Sequence, residues 1–218
     1  TMENSREAVK WFERAIETDP NYSLPYAWWV CSASRLSGFD SDKGLKYVKK
    51  AIELDENNAE AHRIMGSYQM WLRDFEAAEH HHRRAMALNP SSAYIRARTA
   101  AFYTFNHQPE RALELIAEAE ALDPFLPVYC LEEKGVALFN LGKYKEAISA
   151  LNSLAFQTFR SRSYAAACAL ALGEEERSRN ALAEAVSISP NLTVAKLLTW
   201  EYYRNPNDAE RLRKLLIA

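Results

Sequence analysis

The feature that most limits what this chain can fold into is a set of helix stops at near-constant spacing. Asp19-Pro20, Asn89-Pro90 and Asp123-Pro124 close helix-forming stretches, and Asp55-Glu56 and Ser189-Pro190 hold equivalent places. The intervals between them are 36, 34, 34 and 66 residues, the last being twice 33. Ahead of each stop an aromatic or aliphatic residue is followed three positions later by Ala: Phe12/Ala15, Val48/Ala51, Ile116/Ala119 and Leu182/Ala185. His82/Ala85 repeats this with an imidazole, and Leu151/Leu154 with the Ala replaced. A period of this length marks an array of supersecondary units. In 59–90 the pattern predicts a first helix from about Ala59 to Leu72, a turn at Arg73-Asp74 and a second helix from about Phe75 to Leu88. Pro90 ends it, because proline cannot continue a helix and biases the residue before it away from helical angles. Gly66 and Ala78 are small where the two helices meet, and Ala85 is small where the second helix meets the next repeat. One hairpin cannot bury its apolar face alone, so stacked neighbours must supply the core.

Composition agrees. There are 34 Ala and 24 Leu against 22 Val, Ile and Thr together, with only 6 Gly and 8 Pro. Ala and Leu lose little entropy in helices, while β-branched residues lose side-chain freedom there. No strand-like Val/Ile runs exist to build a parallel sheet. The expected fold is all-α, a right-handed α-solenoid of stacked antiparallel helix hairpins. It divides into a half repeat at 1–22, repeats at 23–58, 59–92, 93–126, 127–158 and 159–192, and a C-terminal cap at 193–218. Ala8, Phe12, Ala15 and Pro20 are second-helix residues with no first helix before them. This predicts a longer parent protein or a different cap at that end. Trp200 stands where Gly66 and Gly135 stand, so the last hairpin should pack less closely. Tyr202, Tyr203 and a turn at 204–208 lead to a short helix from about Ala209 to Ile217.

Charge narrows the function. Lys and Arg number 27 and Asp and Glu 29, a formal charge of -2 and a pI near 6.2. A generic polyanion binder needs a basic surface, so no nucleic-acid partner is expected. No apolar run is long enough to span a bilayer, so no membrane partner is expected, and the start carries no signal-peptide pattern. Cys31, Cys130 and Cys168 lack CxxC spacing and read as reduced thiols of a cytoplasmic protein. No nucleophile–base set or Gly-rich phosphate loop is present, so neither enzyme activity nor a cofactor is expected. Glu13, Glu17, Glu53, Glu114, Glu118 and Glu184 read as solvated helix faces. His80-His81-His82 diverge by about 100° per residue on a helix, and His62 and His107 are assigned to other repeats, so no metal site is expected. Arg160, Arg162, Arg177 and Arg179 form a local basic cluster, read as solvated or paired with Glu174, Glu175 and Glu176 rather than as a phosphate site.

Gly66…Ala78…Ala85…Pro90 and Gly135…Leu141-Gly142-Lys143-Tyr144…Ala147 resemble the tetratricopeptide repeat family, and the resemblance runs over the whole chain. A narrower likeness lies in Leu122-Asp123-Pro124, in the turn from Leu141 to Ala147, and above all in the ending Tyr203-Arg204-Asn205-Pro206-Asn207-Asp208-Ala209-Glu210-Arg211-Leu212. These resemble the C-terminal repeat region of bacterial multidomain signalling proteins, where such arrays follow a class III adenylate/guanylate cyclase or a winged-helix DNA-binding domain. No catalytic motif of either domain lies in this chain.

The resemblance implies that first helices line a concave wall. Met70, Trp71, Thr104, Phe105, Phe139 and Asn140 should then face inward, with Arg63, Ser67, Tyr94, Ala101, Glu132, Val136 and Ala167 earlier in those helices. Trp71, Phe105 and Phe139 are the candidate aromatic anchors of a peptide or helix groove, beside Arg63, Met70, Tyr94 and Glu132. The competing reading is ordinary core, since an aromatic stripe at helical spacing is usually buried. Family members that hold a C-terminal carboxylate use Lys and Asn. The Asn places here hold Cys31, Ser67, Ala101 and Val136, so tail capture of that kind is not expected. The expected function is protein–protein interaction, as a regulatory or scaffolding segment of a larger bacterial signalling protein possessing, for example, a nucleotide cyclase. The partner would be a protein, a peptide or another domain of the same chain. Homodimerisation through exposed array ends, a nucleic-acid-binding helical repeat and an enzyme are the alternatives.

Overall fold

The computed structural model describes residues 2–217, and their regular structure is helical throughout. The chain divides into two compact units, Thr1–Ser91 and Ser92–Ala218. The first contains α1 (Met2–Thr18), α2 (Ser23–Ala33), α3 (Ser41–Leu54), α4 (Ala59–Trp71) and α5 (Phe75–Leu88). The second contains α6 (Ala93–Phe105), α7 (Pro109–Leu122), α8 (Val128–Asn140), α9 (Tyr144–Asn152), α10 (Phe159–Ala171), α11 (Glu175–Ile188), α12 (Val194–Leu198) and α13 (Pro206–Ile217). The class is the all-α solenoid of helix hairpins that the period predicts. Among the described residues no helix is long and apolar enough to cross a membrane.

The punctuation has a physical cause at the three Asp stops. After a second helix, the acidic side chain turns back onto the chain: Asp19 Oδ1 accepts from the Asn21 amide at 3.0 Å, Asp55 from Asn57 at 3.0 Å and Asp123 from Phe125 at 2.8 Å. The carboxylate therefore makes the turn, which is why Asp55-Glu56 serves without a proline. Inside each hairpin the link between helices carries one residue at positive φ: Gly38, Arg73, His107, Gly142 and Gly173. Glycine enters that region freely, whereas Arg73 and His107 carry a steric cost there. Asp40, Asn58, Asp74 and Ser92 then cap the helices that follow them, each accepting the backbone amide three residues on, which satisfies an otherwise orphaned donor.

In the first unit the core forms around Trp29, Val30, Val48, Ala51, Ile64, Met65 and Tyr68, and α1 lays Val9, Phe12 and Ile16 against it. Gly66 of α4 lies directly over the His82 ring of α5: a Cβ there would come within 2.8 Å of it. His82 is buried, so it fills the place that an aromatic or aliphatic residue takes in other repeats.

The second unit repeats this arrangement. A Cβ on Gly135 of α8 would lie 2.4 Å from Leu151 Cγ of α9. Ala119 of α7 closes the seam between hairpins, packed with Ala93, Ala97, Leu126 and Cys130. Ala119→Leu is expected to overpack this seam and lower stability by about 1–3 kcal/mol. A urea midpoint equal to the parent's would show that the seam lies elsewhere.

The C-terminus departs from the expected hairpin cap at 193–218. Helix α12 has only 5 residues. Trp200 follows it in a turn, exposed, its indole edge-on to Phe159 at 5.6 Å. This bulk stands at the place of Gly66 and Gly135, and α12 meets α13 without the long facing helices of the other hairpins. Residues 201–205 instead run without regular structure to α13, which begins at Pro206, three residues before the expected start at Ala209.

Candidate functional site

The first helices of the second unit, α6, α8 and α10, share a face, and residues 201–204 lie on it. The Arg204 amide donates to Phe105 O at the end of α6 at 2.8 Å, and the Arg204 guanidinium to Asn106 Oδ1 at 3.1 Å. The Tyr203 ring meets Phe105 edge-on at 5.1 Å, and its hydroxyl donates to Asn140 Oδ1 of α8 at 3.0 Å. Asn140 in turn donates to Thr104 O at 3.3 Å. Beyond the segment α13 is anchored by Arg211, which donates to Asn140 O at 3.1 Å and lies 5.0 Å over the Phe139 ring.

Arg160 of α10 is the electrostatic centre. Its Nε and Nη2 donate to the two carboxylate oxygens of Glu201 at 2.7 and 3.1 Å, the two-pronged geometry that suits a guanidinium best. Its Nη1 donates to Glu133 at 2.9 Å and to Glu132 at 3.3 Å, both on α8. The Tyr164 hydroxyl donates to Glu201 at 2.8 Å and lies 2.9 Å from the Tyr203 hydroxyl, while the Thr158 hydroxyl donates to Glu132. Glu132, Glu133 and Glu201 are all buried. Burial raises the Glu133 pKa, with the Glu201 charge adding to it against the pull of Arg160 and Arg98. Burial disfavours the Arg160 charge, but Glu133, Glu201 and Glu132 outweigh it and hold the pKa well above the usual value. Burial also raises both phenols, so Tyr164 and Tyr203 remain proton donors.

The expected groove residues separate on this structure. Phe105 and Asn140 touch the chain's own C-terminal segment, whereas Glu132 meets it only through Arg160. Phe105 and Phe139 are not open anchors: they are 4% and 0% exposed. Phe139 packs between Tyr144 and Tyr164 at 5.8 and 5.2 Å. Met70 is buried too, as is Arg63, which pairs with Glu60 at 2.7 Å and lies over Trp28. Tyr94 is half-buried beside Tyr129, ring centres 6.4 Å apart. Trp71 alone of the three anchors is open, 41% exposed and resting edge-on against Tyr68. Trp71→Ala is expected to lower stability by less than about 1.5 kcal/mol, well below the penalty for a core aromatic. A larger loss in a denaturant titration would place the indole in the core.

From the sequence, Arg160, Arg162, Arg177 and Arg179 are expected to be solvated or paired with Glu174, Glu175 and Glu176. Only Arg177 and Arg179 use them, pairing with Glu174 at 2.9 Å and Glu175 at 3.4 Å. Arg162 reaches Asn152 and Glu184 instead. The signal that could have found the Arg160 site is Glu132-Glu133, adjacent carboxylates on a mainly apolar helix.

The three consecutive histidines do not converge: His82 lies under Gly66, His81 turns to His62 with 2.9 Å between their Nδ1 atoms, and the His80 ring stands edge-on to His81 at 5.3 Å. The His62–His81 contact joins facing helices of one hairpin and was not foreseen. His62 Nε2 lies 3.1 Å from Glu56 O, which assigns it the donor role there. His62 Nδ1 then accepts, and His81 donates. Burial, together with the His62 and His80 charges, lowers the His81 pKa to about 4. A depressed histidine contributes stability that is complete above the unfolded value near 6.5 and is lost as pH falls toward 4. His81→Asn should therefore flatten the pH dependence of stability between about 6.5 and 4. Parallel profiles for the two proteins would contradict this pairing.

The tetratricopeptide repeat model matches residues 1–22, the helix α1 and the stop after it. No curated protein matches the chain. Among solved structures, a chain of the APC/C hetero-tetramer Cut9–Hcn1 is 19% identical with a TM-score of 0.76, over 92% of this chain and 40% of that one. This chain thus spans less than half of that relative. YrrB, a TPR protein with an unusual peptide-binding site, is 21% identical with a TM-score of 0.54, over 83% of this chain and 93% of its own. A tetratricopeptide repeat protein from Parabacteroides merdae ATCC 43184 is 16% identical with a TM-score of 0.69, over 99% of this chain and 79% of that one. At these identities the likeness is one of fold: this chain has the helix-hairpin solenoid of tetratricopeptide repeat proteins.

Proposed function

We propose that the chain is a protein-interaction segment of the tetratricopeptide type, without catalysis of its own, that holds part of a partner protein on its first-helix faces. One observation carries this reading: an extended segment, Glu201–Arg204, is seated across α6, α8 and α10 by backbone, aromatic and ionic contacts. A face that accommodates an extended segment of its own chain has the dimensions and chemistry to hold one from another chain. The peptide-binding site named for YrrB supports the reading by likeness of fold. The finer reading is a regulatory or scaffolding part of a larger bacterial, cytoplasmic signalling protein with a cyclase or winged-helix domain. It rests on the resemblance of the ending from Tyr203 to Leu212, the stretch that begins on this face.

The test is photo-crosslinking in the cell of origin, with a benzophenone amino acid placed at Trp71 or at Tyr129, both exposed. The reading expects a discrete adduct with a second protein or with another domain of the same chain. Adducts with nucleic acid, or with a second copy of the same surface only, would contradict it.

A further inference from the structure

Resting on that reading, we infer that the face of α6, α8 and α10 is a binding site for an extended peptide carrying a carboxylate two residues before a phenol, and that Glu201–Arg204 is its intramolecular occupant, which such a peptide displaces.

The segment behaves as a ligand would. It has no helix or strand of its own. Along it burial alternates: Glu201 and Tyr203 are buried, Tyr202 is half-buried and Arg204 exposed. That period of two is the signature of an extended chain lying on a surface. The two inward side chains make the specific contacts, Glu201 with Arg160 and Tyr164, Tyr203 with Asn140 and Phe105. The backbone contributes the Arg204 amide to Phe105 O.

The guanidinium on the receiving side keeps partners without the segment, while the Tyr164 hydroxyl and Phe105 O are left for an incoming peptide to satisfy. Arg160 is held from α8 by Glu132 and Glu133, so release of Glu201 leaves no orphaned charge and keeps the guanidinium fork near its position. Glu201 brings a third carboxylate to one guanidinium, and its charge acts against that of Glu133. Departure relieves that repulsion, which offsets part of the cost of breaking the Arg160–Glu201 pair. On either side the chain stays tethered, through Leu197 of α12 and through Leu212 and Leu216 of α13, all buried. Residues 199–205 can therefore lift as a loop. The tether also gives the internal segment a high effective concentration, so a free peptide competes poorly until the internal contact is loosened.

The test uses a labelled peptide of sequence Thr-Trp-Glu-Tyr-Tyr-Arg-Asn, a copy of residues 199–205, titrated by fluorescence anisotropy into the full chain and into its Glu201→Gln variant. The variant should bind at least about tenfold more tightly than the parent, because its internal occupant has lost the charge-assisted pair. A peptide with Gln in place of Glu should lose a similar factor on the same variant. If Glu201→Gln does not fold, Tyr203→Phe takes its place, since it removes one hydrogen bond and keeps the ring. Hydrogen exchange on the unsubstituted chain needs no variant: saturating peptide should speed exchange at 200–205 and leave α8 and α10 unchanged. No saturable binding to a folded variant, with 200–205 exchanging as slowly as α10, would overturn the inference, as would equal binding of the Glu and Gln peptides. Should the peptide fail while Trp71 and Tyr129 still give partner adducts, the internal-occupant inference falls and the interaction reading stands. Loss of both sinks both.

Discussion

Replacing Arg160 with methionine is expected to lower stability by about 3–5 kcal/mol, the cost of removing one partner from a buried ionic cluster. Its side chain is 12% exposed, and the carboxylates it serves are 4%, 6% and 0% exposed at Glu132, Glu133 and Glu201. Methionine keeps much of the length and apolar contact of arginine, so the loss reports charge rather than a void. Three carboxylates would be left facing one another away from water. Removing the charges together should therefore restore much of the stability: Arg160→Met combined with Glu133→Gln and Glu201→Gln leaves a smaller uncompensated charge than the single change. Arg177 provides the control. Its pair with Glu174 is roughly half exposed, and Arg177→Met should cost no more than about 1 kcal/mol. Urea unfolding followed by circular dichroism measures all three. A loss below about 1 kcal/mol for Arg160→Met would mean that the cluster is hydrated like a surface pair.

Phe139→Ala is expected to cost a similar amount, about 3–5 kcal/mol, as truncation of a fully buried aromatic does. The ring is surrounded by Tyr144, Tyr164 and the Arg211 guanidinium, so few neighbours can move into the void. Phe105→Ala belongs with it, because Tyr203 and Tyr202 cover that ring at 5.1 and 6.4 Å. Trp71→Ala stands apart as the mild change. The same thermal or denaturant experiment on the three variants thus separates two core aromatics from one surface aromatic. A small loss at Phe139 would return it to the role of an open anchor.

The repeat was legible because its causes are local. A carboxylate or Asn closing a turn, a small residue under a facing side chain, and alanine at a seam each act within one or two helices. Small residues at Gly66 and Gly135 follow from the period, while the side chains they lie over, His82 and Leu151, are seen only in the structure. The covering of the first-helix face was not legible. Helical spacing shows which face is apolar, and Phe105 and Phe139 give the same pattern whether they meet solvent or another part of the chain. What covers Phe105 lies about a hundred residues further on, and no spacing rule joins Arg204 to Phe105. Trp200 at a glycine place was the one visible sign that the last hairpin would not close as the others do. The burial of Arg160 was hidden for a related reason: sequence proximity offers it solvent or Glu174–Glu176, whereas the fold brings it to α8 and to Glu201.

A double-mutant cycle on Arg160 and Glu201 tests the central claim most directly. If the segment is seated as described, the two changes relieve one another, and Arg160→Met with Glu201→Gln departs from additivity by more than about 1 kcal/mol in equilibrium unfolding. Effects that add within about 0.5 kcal/mol would show that Glu201 does not meet Arg160 in solution, and the account of an occupied face on the second unit would be contradicted.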